Sequence, residues 1–165
     1  MSRRKQRDEE FEFFVRARSP RLRLIARSIC RDEHLADDLV QEALERTYLS
    51  WHKLDDDPMA WARRVLVNLN IDRFRRRRVN EVGLEQVDAP DPHDGVAAVI
   101  GDSHLDALMA ELTPRERAVV TLRYLEDLSE ADTARELDIP IGTVKSTTNR
   151  AITRLRNRSL ETAAL

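Results

Sequence analysis

The chain has 165 residues, 35% of them charged and 41% hydrophobic, with a formal net charge of −2. That balance marks a soluble chain that can still fold, as one domain or two small ones. The single Cys30 excludes an internal disulfide and fits a reducing cytoplasm. It follows Ala26 and Ile29 on an apolar helical face, which predicts a buried thiol rather than a nucleophile. No signal peptide, long apolar segment or lipidation motif is visible, so the expectation is a cytoplasmic protein with no membrane association.

The small net charge hides a division. Residues 1–78 carry 19 Lys/Arg against 14 Asp/Glu, residues 79–110 carry seven acids and no base, and residues 111–165 carry nine of each. Four Gly and six Pro, with abundant Ala, Leu, Arg and Glu, favour an all-α chain. The expected architecture is therefore two small helical domains, 1–80 and 104–165, joined by a flexible acidic linker over 81–103.

In chain order, Arg3, Arg4, Lys5 and Arg7 read as a frayed basic lead. Phe11, Phe14 and Val15 begin an apolar stripe, and Ser19-Pro20 predicts a helix restart before Leu22, Ile25, Ala26 and Ile29 continue it. Asp32 predicts the cap of a long helix through Leu35, Leu39, Ala43, Leu44, Thr47 and Trp51. Asp57 and Pro58 predict the start of the next, which buries Ala62, Val65, Leu66 and Leu69 and ends in the run Arg73 to Arg78. Periodicity then fades through a stretch rich in Asp, Pro and Gly. Helix resumes near His104 to Leu112, and Thr113-Pro114-Arg115-Glu116 predicts a capping box with Pro at the first helical position.

The most informative stretch is Ser129 to Arg156. Ser129 and Asp132 form a second capping-box pattern, and Ala131, Ala134 and Leu137 recur at helical spacing. Asp138 sits where the chain must turn, and Pro140 discourages helix at Ile139, so a new helix is expected from about Pro140 to Gly142. On that helix Val144, Thr148, Ala151, Ile152 and Leu155 share one arc, while Lys145, Ser146, Asn149, Arg150 and Thr153 occupy the other side. Such a division suits a helix that packs by one face and presents polar donors and cations to the major groove with the other. The plainer reading is an amphipathic helix whose polar face is only solvated.

No phosphate-loop, dinucleotide, zinc-protease, C-x-x-C or nucleophile-elbow motif occurs, so the sequence predicts no enzyme, no cofactor, no metal site and no small-molecule substrate. The aspartates Asp55 to Asp57 read as a cap and a bend rather than as cation ligands. Two features outside the helix-turn-helix need a function. Asp38, Gln41, Glu42 and Glu45 share an acidic helical face. The helix from Pro58 presents Arg63, Arg64, Asn68 and Asp72 and then the arginine cluster, with Trp61 and Phe74 interleaved. Part of that cluster suits the negative end of the helix dipole, but four consecutive arginines exceed that need and fit phosphate neutralisation better. Aromatics beside them suit unstacked bases.

These residues resemble the extracytoplasmic-function (ECF) group of bacterial sigma factors, the smallest branch of the sigma-70 family. Asp38-Leu39-Val40-Gln41-Glu42 is similar to its D-L-V-Q-E motif of region 2. Val65 to Asp72 with the following arginines is similar to a second region 2 segment. Leu112 to Arg117 and Leu128 to Leu155 resemble region 4, including a G-T-V-K-S core at Gly142 to Ser146. The resemblance covers nearly the whole chain. It implies that Asp38, Gln41 and Glu42 dock on the β′ clamp helices of core RNA polymerase, with the β flap as a further contact. It implies that the loop at His52, then Arg63, Arg64, Asn68 and Asp72, read the melted −10 strand while Arg75, Arg76, Arg77 and Arg78 hold phosphates. It assigns the −35 duplex to Lys145, Ser146, Asn149 and Arg150, and an anti-sigma factor as a regulatory partner. The departures are Asp138 at the turn, Thr147, Thr148 and Asn149 after the Lys-Ser pair, and a −10 loop with no aromatic beyond His52. A free-standing dimeric helix-turn-helix regulator and an RNA-binding helical module are the alternatives.

Overall fold

The computed structural model describes residues 2–54, 57–82 and 103–163. The acidic linker expected over 81–103 lies outside the described residues except at its ends, as do Asp55 and Asp56. Every regular element among the described residues is helical: α1 Arg3–Cys30, α2 Glu33–Ser50, α3 Pro58–Val82, α4 Ser103–Ala110, α5 Pro114–Val120, α6 Glu130–Leu137 and α7 Ile141–Ala163.

α1 is one unbroken helix of 28 residues, which corrects both the frayed lead and the expected restart at Ser19-Pro20. Ser2 caps it, accepting from the Arg4 amide at 3.4 Å. Pro20 removes one backbone donor, but Phe14 before it and Leu22, Ile25 and Ile29 after it enter the same core, and that burial outweighs one lost hydrogen bond. Arg31 then adopts left-handed backbone (φ 59°) and its amide returns to the Arg27 carbonyl at 3.0 Å. Asp32 caps α2 as the sequence predicts, accepting from the Leu35 amide at 2.8 Å. α1 and α2 thus form a tight hairpin, and a 3-10 turn, Trp51–Lys53, carries the chain towards α3. Asp57 accepts from the Met59 amide at 3.0 Å, so the cap before Pro58 is also observed.

In the second unit both bonds of the predicted capping box form: Glu116 N–H to Thr113 Oγ1 at 3.2 Å and Thr113 N–H to Glu116 Oε2 at 2.9 Å. α5 does not run on as a regular α-helix through Leu125; it widens into a π-helical turn over Thr121–Leu125. Ser129 caps α6, accepting from the Asp132 amide at 3.0 Å, but its hydroxyl donates to Asp132 Oδ2 at 2.8 Å, so only half of that predicted box is present. Ala131 is exposed, and the buried residues of α6 are Thr133, Ala134, Glu136 and Leu137. Asp138 takes the left-handed conformation (φ 52°, ψ 49°), and the Ile139 amide closes the helix end on the Ala134 carbonyl at 3.1 Å.

The two units share a core. Leu22, Ile25 and Ile29 of α1, Leu39 and Ala43 of α2 and Leu66 of α3 are continuous with Val119, Leu122, Leu137 and Val144 of the second unit. Cys30 is buried there, as expected, with its thiol 3.2 Å from the Asp32 carbonyl. Arg117, only 2% exposed, reinforces the seam: its Nε donates to the Ile29 carbonyl at 2.9 Å, near the end of α1 where carbonyls lack helical partners.

Candidate nucleic-acid and polymerase interfaces

α7 presents the polar arc predicted for it. Val144 and Ala151 are fully buried, Ile152 and Leu155 are half-buried, and Lys145, Ser146, Asn149 and Arg150 are exposed. Thr147 is the exception: it is buried, and its hydroxyl accepts from Arg150 at 3.3 Å, bracing that guanidinium. The Lys145 ammonium lies 3.8 Å from Glu130 of α6, a weak exposed pair that a phosphate can replace. Asn149, Arg150, Thr153, Arg154 and Asn157 line a shallow groove of about 380 Å³ that contains no acid. Its two arginines, two amides and one threonine hydroxyl, with Lys145 and Ser146 a turn earlier, can reach base edges and phosphates together, although Arg154 also lies 3.6 Å from Glu116.

On α3 the sequence-predicted residues separate. Arg64, Asp72, Arg75, Arg76 and Arg77 are exposed and Asn68 is half-buried, whereas Arg63 and Arg78 are buried, at 8% and 4% exposure. Both depart from the expectation of DNA-facing arginines for one reason. Positions 63, 67, 70, 74 and 78 recur at three- and four-residue spacing, so the two arginines fall on the packed stripe with Val67, Asn70 and Phe74. Arg77 lies over the Phe74 ring, 5.7 Å from its centroid. His52 is exposed on the turn before α3, beside Trp51, whose ring packs into the core at 5.2 Å from those of Phe11 and Phe14.

Arg63 joins the two units. Its Nε donates to both Glu136 carboxylate oxygens, at 3.0 and 2.9 Å, and its Nη1 to Glu126 Oε2 at 2.9 Å. Arg21 of α1 holds the other Glu126 oxygen at 2.6 Å. Burial alone pulls the Arg63 guanidinium down, but the hydrogen bonds and charges of Glu136 and Glu126 outweigh it and leave its pKa above the ordinary arginine value. Contact of Arg63 with DNA therefore requires the two units to part. Sequence reasoning missed Glu126, Glu136 and Arg117, because their partners lie in the other unit and no local pattern joins them.

The acidic face of α2 is exposed at Asp38 and Gln41 and half-exposed at Glu42. Gln41 donates to Glu45 at 3.1 Å and Arg46 to Glu42 at 2.7 Å, both one turn along the same helix. These pairs are local and solvated, so the face remains open to a basic partner. Among the described residues no helix is long and apolar enough to cross a membrane, and no group of three or more His, Cys, Asp or Glu is placed to hold a metal ion.

An acidic helix face, an arginine-bearing helix and a helix-turn-helix follow one another in this order on one chain. The family described as Sigma-70 region 2 matches residues 14–79, and Sigma-70, region 4, matches residues 104–155. Among curated relatives, the RNA polymerase sigma-E factor of Streptomyces coelicolor is 38% identical over 162 residues, covering 94% of this chain and 92% of that protein. The ECF RNA polymerase sigma factor SigW of Bacillus subtilis is 28% identical over 141 residues, covering 76% of this chain and 75% of that one. The fold matches the sigma factor RpoE, solved in complex with the anti-sigma factor NepR from Bartonella quintana, with a TM-score of 0.69 at 24% identity over 90% of this chain and 96% of that one. It also matches CnrH, solved in complex with the cytosolic domain of CnrY, at 0.63 and 23% over 94% and 90%. The chain belongs to the sigma-70 family, in its ECF group. It is an alternative sigma factor acting in transcription initiation.

Proposed function

We propose that the two units divide one promoter between them. α7 reads the −35 duplex with Lys145, Ser146, Asn149 and Arg150, and the second unit rests on the β flap. The turn at His52 and the exposed side of α3, with Arg64, Asn68 and Asp72, read the melted −10 strand while Arg75, Arg76 and Arg77 neutralise its phosphates. Asp38, Gln41 and Glu42 on α2 dock on the basic β′ clamp helices. The bond-making chemistry of transcription lies in the polymerase, and the sigma factor contributes binding and strand separation. The observation that carries this reading is the polar arc of α7, exposed and free of acids while its opposite arc packs through buried Val144 and Ala151.

Arg63 joins the −10 surface only when the packing between the units is released, since Glu126 and Glu136 of the second unit hold it in the closed arrangement, whereas buried Arg78 is left out of the proposed phosphate contacts. An anti-sigma factor that favours the closed arrangement would keep the chain off promoters. The solved relatives RpoE and CnrH, held with NepR and CnrY, support a partner of that kind. The test is co-elution with core enzyme followed by run-off transcription on genomic fragments. Reversing charge at Asp38 and Glu42 is expected to weaken the association, and unchanged affinity would remove the docking assignment.

A further inference from the structure

We propose that the groove between the start of α1 and the turn after α2 is a single-stranded nucleic-acid site. In it Arg3 and Arg4 hold phosphates of the melted non-template strand as it passes His52. The proposal rests on the −10 reading above and extends it to residues that reading does not use.

The antiparallel α1–α2 hairpin brings the first turn of the chain beside the last turn of α2. Phe11 pins the two ends, its ring 5.0 Å from that of Tyr48 and 5.2 Å from that of Trp51. The result is a groove of about 570 Å³ with Arg3, Arg4, Arg7 and Glu10 on one wall and Trp51 and His52 on the other. Arg7 is fixed there by the Tyr48 hydroxyl at 3.0 Å and lies 5.0 Å from the centre of that ring. Arg3 and Arg4 are exposed and make no ion pair with any described residue.

Helix stability gives no reason for these cations. The dipole disfavours positive charge at a helix start, and the first turn of α1 carries no acid to offset it. A phosphate does give a reason, because the guanidinium fork matches its oxygens: Arg7 is balanced by Asp8 at 3.8 Å, but Arg3 and Arg4 together exceed the charge of Glu10, which Gln6 holds at 3.1 Å. The shape selects the strand. Duplex grooves are entered by protruding elements, whereas a concave site with ring edges on one wall and cations on the other suits a backbone with its bases unstacked. His52 itself lines the groove, so the −10 turn and the proposed phosphate site share a wall.

The test uses holoenzyme assembled from core polymerase and the full chain. A fluorescent single-stranded non-template oligonucleotide across the −10 element and a duplex −35 fragment are titrated separately. Replacing Arg3 and Arg4 together by alanine is expected to weaken single-strand binding five- to tenfold and to lower its log–log salt slope by about 1.4. Affinity for core enzyme, the thermal midpoint and duplex binding should not move, and the Arg3→Lys/Arg4→Lys pair should restore most of the slope. Equal binding by wild type and the alanine pair would overturn the groove and leave the −10 reading standing. An equal loss on the duplex fragment would overturn it too, as unspecific attraction. Wild-type holoenzyme that binds neither probe would instead refute the underlying promoter reading.

Discussion

α3 and α7 are both long basic helices carrying residues assigned to DNA, yet the fold uses them differently. α7 buries one arc against α5 and α6 and leaves the whole opposite arc in solvent, so every residue predicted to read the −35 element is exposed. α3 is gripped on two sides, by the α1–α2 hairpin and by α5 and α6, and its arginines are split between duties. Arg64 faces water, whereas Arg63, one residue earlier, is sealed in an ion-pair network between the two units. A helix at the edge of a fold offers its ligands ready-made. A helix at the centre must give up packing before it offers all of them.

The largest effect should come from breaking that grip. Arg63→Ala leaves Glu126 and Glu136 buried without their shared cation and is expected to cost about 3–5 kcal/mol of stability by urea denaturation. Arg64→Ala should cost less than about 0.5 kcal/mol, and comparable losses at the two positions would erase the distinction. The Arg63 pKa is raised in the folded state, so its stabilisation is complete at every pH below the ordinary arginine value. It is lost only as the pH climbs through the raised value. Titration of Arg63 therefore predicts no pH dependence of the interface near neutrality, and a neutral-range transition that disappears in Arg63→Met would contradict this.

Lys145→Ala and Arg150→Ala should each weaken recognition of a −35 duplex by about 1–3 kcal/mol in holoenzyme binding assays while leaving the melting curve in place. Stability loss in parallel would mean that α7 packs through these residues after all. Ser129→Ala, which removes the cap of α6, is expected to cost about 1 kcal/mol of stability. A small effect of opposite sign is expected at Gly142, where an added Cβ would meet no atom of this chain within 4 Å. Gly142→Ala should raise stability by less than about 1 kcal/mol. A matching loss of −35 affinity would place the DNA backbone against that position.

Local chemistry was legible in the sequence. The caps at Asp32, Asp57, Thr113 and Ser129, the left-handed Asp138, the buried Cys30 and the divided faces of α7 each follow from a few neighbouring residues. The misreadings share one cause. Pro20 was expected to restart a helix, and α1 runs through it because distant residues pack on both sides. The sequence places Arg63 with the exposed arginines, yet in the closed arrangement it is buried, because its partner Glu136 lies 73 positions away. Its place on a stripe with Val67, Asn70 and Phe74 was a signal available in the spacing. The partner was not, because a tertiary ion pair between units leaves no periodicity to detect.

The most direct test of the central claim is multi-round run-off transcription with core RNA polymerase on a library of genomic promoter fragments. The account predicts transcripts from defined start sites that require this chain and are reduced by Lys145→Ala together with Arg150→Ala. Transcripts that start at no defined site, or tight protection of a duplex operator by the chain in the absence of polymerase, would contradict it.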